Sequence, residues 1–266
     1  MNFTYRNLLC LTFFGAASFT YASNNDPRSA YIELLKKCVS GLIYKDPGIQ
    51  NAFDLEKREN GLDFPSFAHT MIGLKRLNNI QHCMESIISE NIEGDLIETG
   101  VWRGGSVIFM RGLLKAFNIT DRTVWVADSF EGLPKPNADL YPADSGDYHH
   151  QINFLSVALE TVKNNFASYG LLDDQVQFLK GWFKDTLPQA PINKLALLRL
   201  DGDMYESTMD SLNNLYPKVS IGGYIIIDDY ALPACAKAVQ DYRKKNDITD
   251  AMIQIDYFGV YWKKSK

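Results

Sequence analysis

The sequence predicts an α/β fold: a doubly wound, Rossmann-like sheet preceded by an N-terminal helical region. Three observations carry that reading. From Asp95 onward, short apolar runs alternate with helical stretches. The runs are mostly apolar rather than strictly alternating, as strands covered on both faces are. The segment Glu98-Thr99-Gly100-Val101-Trp102-Arg103-Gly104-Gly105-Ser106 then places three glycines between one run and the next helix. Strand, glycine turn and helix in that order open a parallel sheet.

The elements follow in order. Residues 1–24 carry a positive charge near the start, an apolar stretch from Leu8 to Ala17, and Thr20-Tyr21-Ala22. That is a signal-like or disordered leader, too short for a comfortable membrane span, and it is set apart from the fold. Residues 25–90 form the helical region. Within it, 30–41 has Ile32, Leu34, Leu35, Cys38 and Val39 at helical spacing, and Asp46-Pro47-Gly48 closes it. The polar stretch 45–65, with Lys57-Arg58-Glu59-Asn60-Gly61, reads as loop. Residues 71–88 read as a long amphipathic helix burying Ile72, Leu74, Leu77, Ile80, Met84, Ile87 and Ile88.

Residues 91–266 form the sheet domain. Strands are predicted at 96–99, 124–127, 176–179, 195–200 and 224–227. Helices are predicted at 106–117, 155–169, 207–216 and 234–245. The tail differs: 252–255 and 260–262, joined by Asp256-Tyr257-Phe258-Gly259, read as a strand pair with a short connection.

Composition narrows the function. The 266 residues carry a net charge of −5, and that charge with a pI near 5.4 argues against a general nucleic-acid binder, which would need a basic face. The four cysteines are Cys10, Cys38, Cys83 and Cys235. Without the leader an odd number remains, widely spaced, which is neither a disulfide framework nor a zinc pattern. Reduced structural thiols are expected.

In an open parallel sheet, ligands bind beyond the carboxyl ends of the strands. The residues ending the runs are Glu98, Asp128, Gly181-Trp182, Asp201 and Asp228-Asp229. The glycine segment reads as a nucleotide-type cofactor loop, with Glu98, Thr99, Gly100, Val101, Trp102, Arg103 and Gly104 against the ligand and the first helical N–H groups aimed at it. Its spacing is neither the dinucleotide G-x-G-x-x-G nor a P-loop. Asp128, followed by Ser129 and Phe130, is placed to take ribose hydroxyls, or else to cap the next segment. Gly181 and Trp182 suit an adenine slot, or core filling.

Asp201, Asp228 and Asp229 are the sharpest constellation. The sequence between Asp201 and Asp228 holds one helix and a return, so their strands should be neighbours. Three carboxylates then meet at one edge, where their repulsion would raise at least one pKa. A hard divalent ion such as Mg²⁺ relieves it; pairing with Lys or Arg is the bland alternative. Asp203 and Glu206 are either supporting residues or caps of the next helix. His149 and His150, in a polar stretch suited to a lid, offer a weaker base or a solvated loop.

Together these motifs resemble the macrocin O-methyltransferase (TylF/MycF-type) family, over residues 31–262. Further matching segments are Leu42-Ile43-Tyr44-Lys45-Asp46-Pro47, Ala68-His69-Thr70-Met71-Ile72-Gly73 and Leu200-Asp201-Gly202-Asp203-Met204-Tyr205-Glu206-Ser207-Thr208. The resemblance implies a class I methyltransferase sheet of seven strands with the last antiparallel. It also implies S-adenosylmethionine as donor and Mg²⁺ on Asp201, Asp228 and Asp229, with Thr70 and Met71 bordering the donor. The expected reaction is methylation of a hydroxyl on a sugar or glycosylated small molecule, with Asp201 as metal ligand and base and His149 as the second candidate. A catechol-type methyltransferase, a non-catalytic cofactor-binding protein and an NAD-dependent oxidoreductase are the rival readings; the glycine spacing disfavours the last. The N-terminal helical arm is a plausible element of a homo-oligomer. The cytosolic donor and unpaired cysteines favour the cytoplasm, whereas the leader, if retained, leaves membrane contact or export open.

Overall fold

A computed structural model describes residues 26–266; the leader reading and Cys10 lie outside them. The chain runs α1 (Pro27–Val39), α2 (Leu55–Glu59), α3 (Gly73–Ser89), β1 (Asp95–Thr99), α4 (Gly105–Ala116), β2 (Val124–Asp128), α5 (Leu159–Ser168), β3 (Val176–Lys180) and α6 (Phe183–Thr186). It continues with β4 (Leu195–Leu200), α7 (Tyr205–Leu215), β5 (Val219–Ile227), α8 (Pro233–Lys245), β6 (Ile253–Gln254) and β7 (Val260–Lys263). Among the described residues, no helix is long and apolar enough to cross a membrane.

The seven strands form one sheet in the order β3-β2-β1-β4-β5-β7-β6. The first five are parallel, and β7 runs antiparallel to both β5 and β6. Side chains alternate across the central strands. Leu96, Val126, Leu197 and Ile226 pack on one face with α1, α3, α4 and α5. Ile97, Ala127, Leu198 and Ile225 pack on the other with α7 and α8. Both faces are covered, which explains the continuous apolar runs. The three cysteines at 38, 83 and 235 are free thiols.

Three expectations are corrected. The polar stretch 45–65 contains α2, started by Asp54, whose side chain accepts from Lys57 N at 3.1 Å. Its Arg58 is fully buried: it donates to Asp63 and to the carbonyls of Ser40 (2.9 Å) and Asp46 (2.8 Å). A stretch read as loop thus contains a short helix whose Arg58 is an internal clamp. Strand β5 begins at Val219 because the pairing with β4 shifts register between Leu195 and Leu197, opposite Val219 and Tyr224. Gly222 there has φ of +86°, and Gly222-Gly223 forms a bulge in the strand. Finally, α5 starts four residues late. Residues 153–155 form a separate 3₁₀ turn, held because Trp102 Nε1 donates to the Phe154 carbonyl at 2.8 Å.

Candidate active site

The carboxyl ends of β1, β2, β3, β4 and β5 open into one cavity of about 830 Å³, lined on the sheet side by Glu98, Gly100, Asp128, Gly181, Asp201, Asp228 and Asp229. That volume suits a nucleoside-sized ligand together with part of a second molecule. Thr70, Met71, Val101, Trp102, Ser129, Trp182 and His149 complete the predicted set on its walls.

The glycine turn is tightly constrained. Gly100 has φ of +85°, and a Cβ there would lie 1.6 Å from the Asp201 carbonyl oxygen. The turn after β1 and the end of β4 therefore touch through backbone that only glycine permits. Gly100→Ala is expected to destabilise the fold by at least the ~1–3 kcal/mol of a strained backbone, read by urea denaturation. An alanine variant as stable as wild type would contradict this contact. At the start of α4, Gly105 N–H donates to the His69 carbonyl at 2.8 Å, so that helix N–H serves the protein and is not aimed at a ligand. The same bond seats Thr70 and Met71 on the cavity edge. Asp46 helps, accepting from Ala68 N at 2.6 Å.

Several predicted contacts fall elsewhere. Thr99 is buried, and its hydroxyl accepts from Ser211 at 3.3 Å. Arg103 stacks on Trp102 (4.1 Å) and donates to the Ala68 carbonyl at 3.0 Å. Gly104, at φ +87°, starts the helix beside Val162. Phe130 packs on Phe178 at 6.3 Å within the core. None of these four lines the cavity. Each belongs to a motif whose neighbours do, and sequence spacing cannot separate the residue that faces a ligand from the one supporting it.

Asp128 holds backbone: Oδ2 accepts from Val101 N at 2.8 Å and Oδ1 from Phe130 N at 2.7 Å. Burial raises its pKa against these bonds. Each carboxylate oxygen accepts more than one hydrogen bond, so the clamp leaves capacity for a hydroxyl in the cavity. Ser129 donates to the Gly132 carbonyl at 2.6 Å, shaping the turn beside it.

The strands of Asp201 and Asp228 are neighbours, with Leu200 opposite Ile227. Asp201, Asp228 and Asp229 each offer an oxygen within 4.8 Å of the other two. Asp203 N donates to Asp229 Oδ2 at 3.0 Å. Burial, then the neighbouring Asp228, raises Asp201 well above the carboxylate range while Arg199 opposes it. Burial, then Asp203 and Asp201, does the same to Asp229.

The sequence reading allowed for a Lys or Arg partner but did not identify the residue. Arg199 is fully buried in β4 and pairs with Glu98, with Asp201 at 2.8 Å and with Asp228. Glu98 also accepts from Ser106, so its carboxylate is engaged inside the fold. The signal was present: one arginine inside Leu195-Ala196-Leu197-Leu198-Arg199-Leu200, a run otherwise fully apolar, demands buried partners. Pairing with arginine and convergence of carboxylates are therefore both real here. Carboxylates still outnumber guanidiniums: Glu98, Asp201 and Asp228 share Arg199, Asp228 also meets Arg76, and among the described residues Asp229 has no salt-bridge partner. An oxygen-rich, anionic, partly open donor set fits a hard divalent cation.

His149 lines the cavity, and its Nδ1 lies 2.7 Å from Asp147 Oδ2. With Nδ1–H assigned as the donor, Nε2 is the acceptor. His150 lies off the cavity with its Nδ1 buried and unpartnered. The polar stretch is pinned rather than free: buried Asp144 accepts from Tyr205 N at 2.6 Å and Glu206 N at 3.0 Å, capping α7. Asp144, not Asp203 or Glu206, is thus the cap.

A sheet of this order, with a glycine turn after β1 and acids ending β2 and β4, defines a class I, Rossmann-like methyltransferase. The family model for Macrocin-O-methyltransferase (TylF) matches residues 45–264, and the chain belongs to that family. It is an O-methyltransferase, and S-adenosylmethionine is the methyl donor that assignment carries. The chain is 54% identical over 244 residues to Mycinamicin III 3''-O-methyltransferase of Micromonospora griseorubida, covering 88% of this chain and 96% of the relative. It is 52% identical over 256 residues to Demethyldecarbamoylnovobiocin O-methyltransferase of Streptomyces niveus, covering 93% and 98%. Among solved structures, the O-methyltransferase NovP superposes with a TM-score of 0.88 at 54% identity, covering 90% of this chain and all (100%) of NovP. The calicheamicin methyltransferase CalS11, at 16% identity and a TM-score of 0.59, shares the fold.

Proposed function

We propose that this enzyme methylates a hydroxyl on a sugar or glycosylated small molecule, using S-adenosylmethionine and Mg²⁺. The observation carrying the reading is the convergence of Asp201, Asp228 and Asp229 on one rim of the cavity, beside the glycine turn. The relatives named for mycinamicin and novobiocin precursors support the acceptor class.

Asp128 and Ser129 would hold the ribose, Trp182 and Gly181 would border the adenine, and Gly100, Val101, Trp102, Thr70 and Met71 would flank the remainder of the donor. Asp201, Asp228 and Asp229 would hold Mg²⁺, whose charge orients an acceptor hydroxyl and lowers its pKa when bound. The acceptor oxygen attacks the sulfonium methyl with inversion. The new C–O bond forms as the S–C bond breaks, and its electron pair stays on sulfur. The hydroxyl proton passes to a base of this chain. Asp201 would take that role: it lines the cavity, and its Oδ2 accepts from Arg199. His149, whose Nδ1 is held by Asp147, would be the second candidate base, through Nε2. Alignment of nucleophile and methyl contributes up to ~7–11 kcal/mol, so the walls matter as much as the base.

The test is methyl transfer onto a panel of glycosylated metabolites and catechols, with and without EDTA. Glycosides should be methylated, and EDTA should suppress turnover by at least about 10²-fold in a manner reversed by Mg²⁺. Undiminished turnover in EDTA removes the metal from the reading; turnover confined to catechols removes the sugar.

A further inference from the structure

Arg76 belongs to α3, ahead of the sheet, yet its side chain reaches the cavity wall. It is 6% exposed, and its Nη1 pairs with Asp228 Oδ2. Its Nε lies 3.0 Å from Asp256 Oδ2, in the turn between β6 and β7, an ion pair without hydrogen-bond alignment. Its Nη2 lies 3.4 Å from the Gly61 carbonyl, and its guanidinium sits 5.5 Å from the Phe258 ring. On the other side of Asp228, Arg199 Nη2 holds Oδ1. Asp228 is thus gripped at both oxygens by two guanidiniums from different elements. A carboxylate free to rotate about two bonds becomes one with a fixed plane, and its remaining lone pairs are fixed with it.

Resting on the metal reading above, we propose that Arg76 is a positioning residue for Asp228: the Asp256–Arg76–Asp228 chain sets the carboxylate plane that the metal requires. The same residue fixes a wall of the cavity. A Cβ on Gly73 would lie 2.4 Å from Gly61 N, and one on Gly61 would lie 2.5 Å from Arg76 Nη2. The segment after α2 therefore closes directly onto the guanidinium, and Gly61, Leu62 and Asp63 carry that seat into the cavity lining. A lysine would keep the charge but present a point where a planar fork now spans two anions.

The experiment compares the full-length wild type with Arg76→Lys and Asp256→Asn. Arg76→Lys keeps the positive charge and changes its geometry, whereas Asp256→Asn keeps Arg76 and removes the charge its Nε faces, so the two variants separate orientation from electrostatics. Asp256→Asn also retains the oxygen that accepts from Phe258 N and Gly259 N. Calorimetric titration with Mg²⁺ alone should show affinity weakened by about 10–100-fold in Arg76→Lys, the range for partners that orient a metal ligand, with a smaller loss in Asp256→Asn. S-adenosylmethionine affinity should stay within about twofold in both, which a general loss of structure would not allow. Should Arg76→Lys fail to fold, Asp256→Asn alone decides. Wild-type Mg²⁺ affinity in the folded variants overturns the role of Arg76 alone. A wild-type chain that takes up no Mg²⁺ overturns this proposal and the metal reading together.

Discussion

Asp201→Asn is expected to lower kcat by roughly 10²–10⁴-fold, the contribution of a positioned general base, while S-adenosylmethionine binds within about threefold of wild type. The substitution keeps the volume and one oxygen for Arg199, so the fold should survive. It removes the charge that would hold Mg²⁺ and the site that would accept the proton. Donor binding should be spared because the groups proposed for it, Asp128 and Trp182, lie on β2 and just past β3 rather than on β4. His149→Ala supplies the contrast. Should Asp201 be the base, removing His149 lowers kcat by tenfold or less and leaves the acid limb of the pH–rate profile in place. Should His149 be the base, that limb disappears in His149→Ala, and Asp201→Asn is revealed as a metal-binding defect by the Mg²⁺ concentration needed to restore turnover. Full kcat in Asp201→Asn sinks the site as drawn.

The fold was legible because its signals are local. The apolar runs at 195–200 and 224–227, the glycines after Glu98 and the acids closing the strands each sit within a few residues, and β4 was bounded as observed. The convergence of Asp201 with Asp228 and Asp229 followed from topology alone, since parallel neighbours bring their carboxyl ends together. What could not be read is the pairing of charges across long sequence separations. Arg76 meets Asp228 from another element, and Arg199 meets Glu98 from the neighbouring strand. Arg58 was hidden by its setting, a polar pentapeptide that looks solvated. Asp144 was hidden because it caps a helix that begins 61 residues later in the chain, at Tyr205. Such contacts leave no periodic trace; only a charged residue inside an apolar strand, as at Arg199, marks them.

Replacing that residue should have the largest effect on stability. Arg199→Met is close in volume and apolar, yet it is expected to destabilise the protein by about 3–5 kcal/mol, the penalty for breaking a buried ion pair from one side. For a domain of this size that is a fall in Tm of roughly 6–20 °C. The reason is the set of groups left behind: Glu98 and Asp228 are 1% and 3% exposed and lose a guanidinium each shares. The deficit should depend on pH in a defined direction. Burial, opposed by Arg199, already raises the Glu98 pKa above its ordinary 4.5. A carboxyl with a folded pKa above its unfolded value stabilises below the unfolded value, and that contribution is lost as pH rises through the folded one. Without Arg199 the folded pKa rises further, so the loss at pH 7 grows. The gap between variant and wild type should therefore narrow as pH falls from 7 toward 4.5 and Glu98 takes up its proton. Urea denaturation of the metal-free proteins across that range measures it. A gap below about 1 kcal/mol, or one indifferent to pH, would mean that charge compensation by Arg199 is not what allows these carboxylates to stay buried beneath the site.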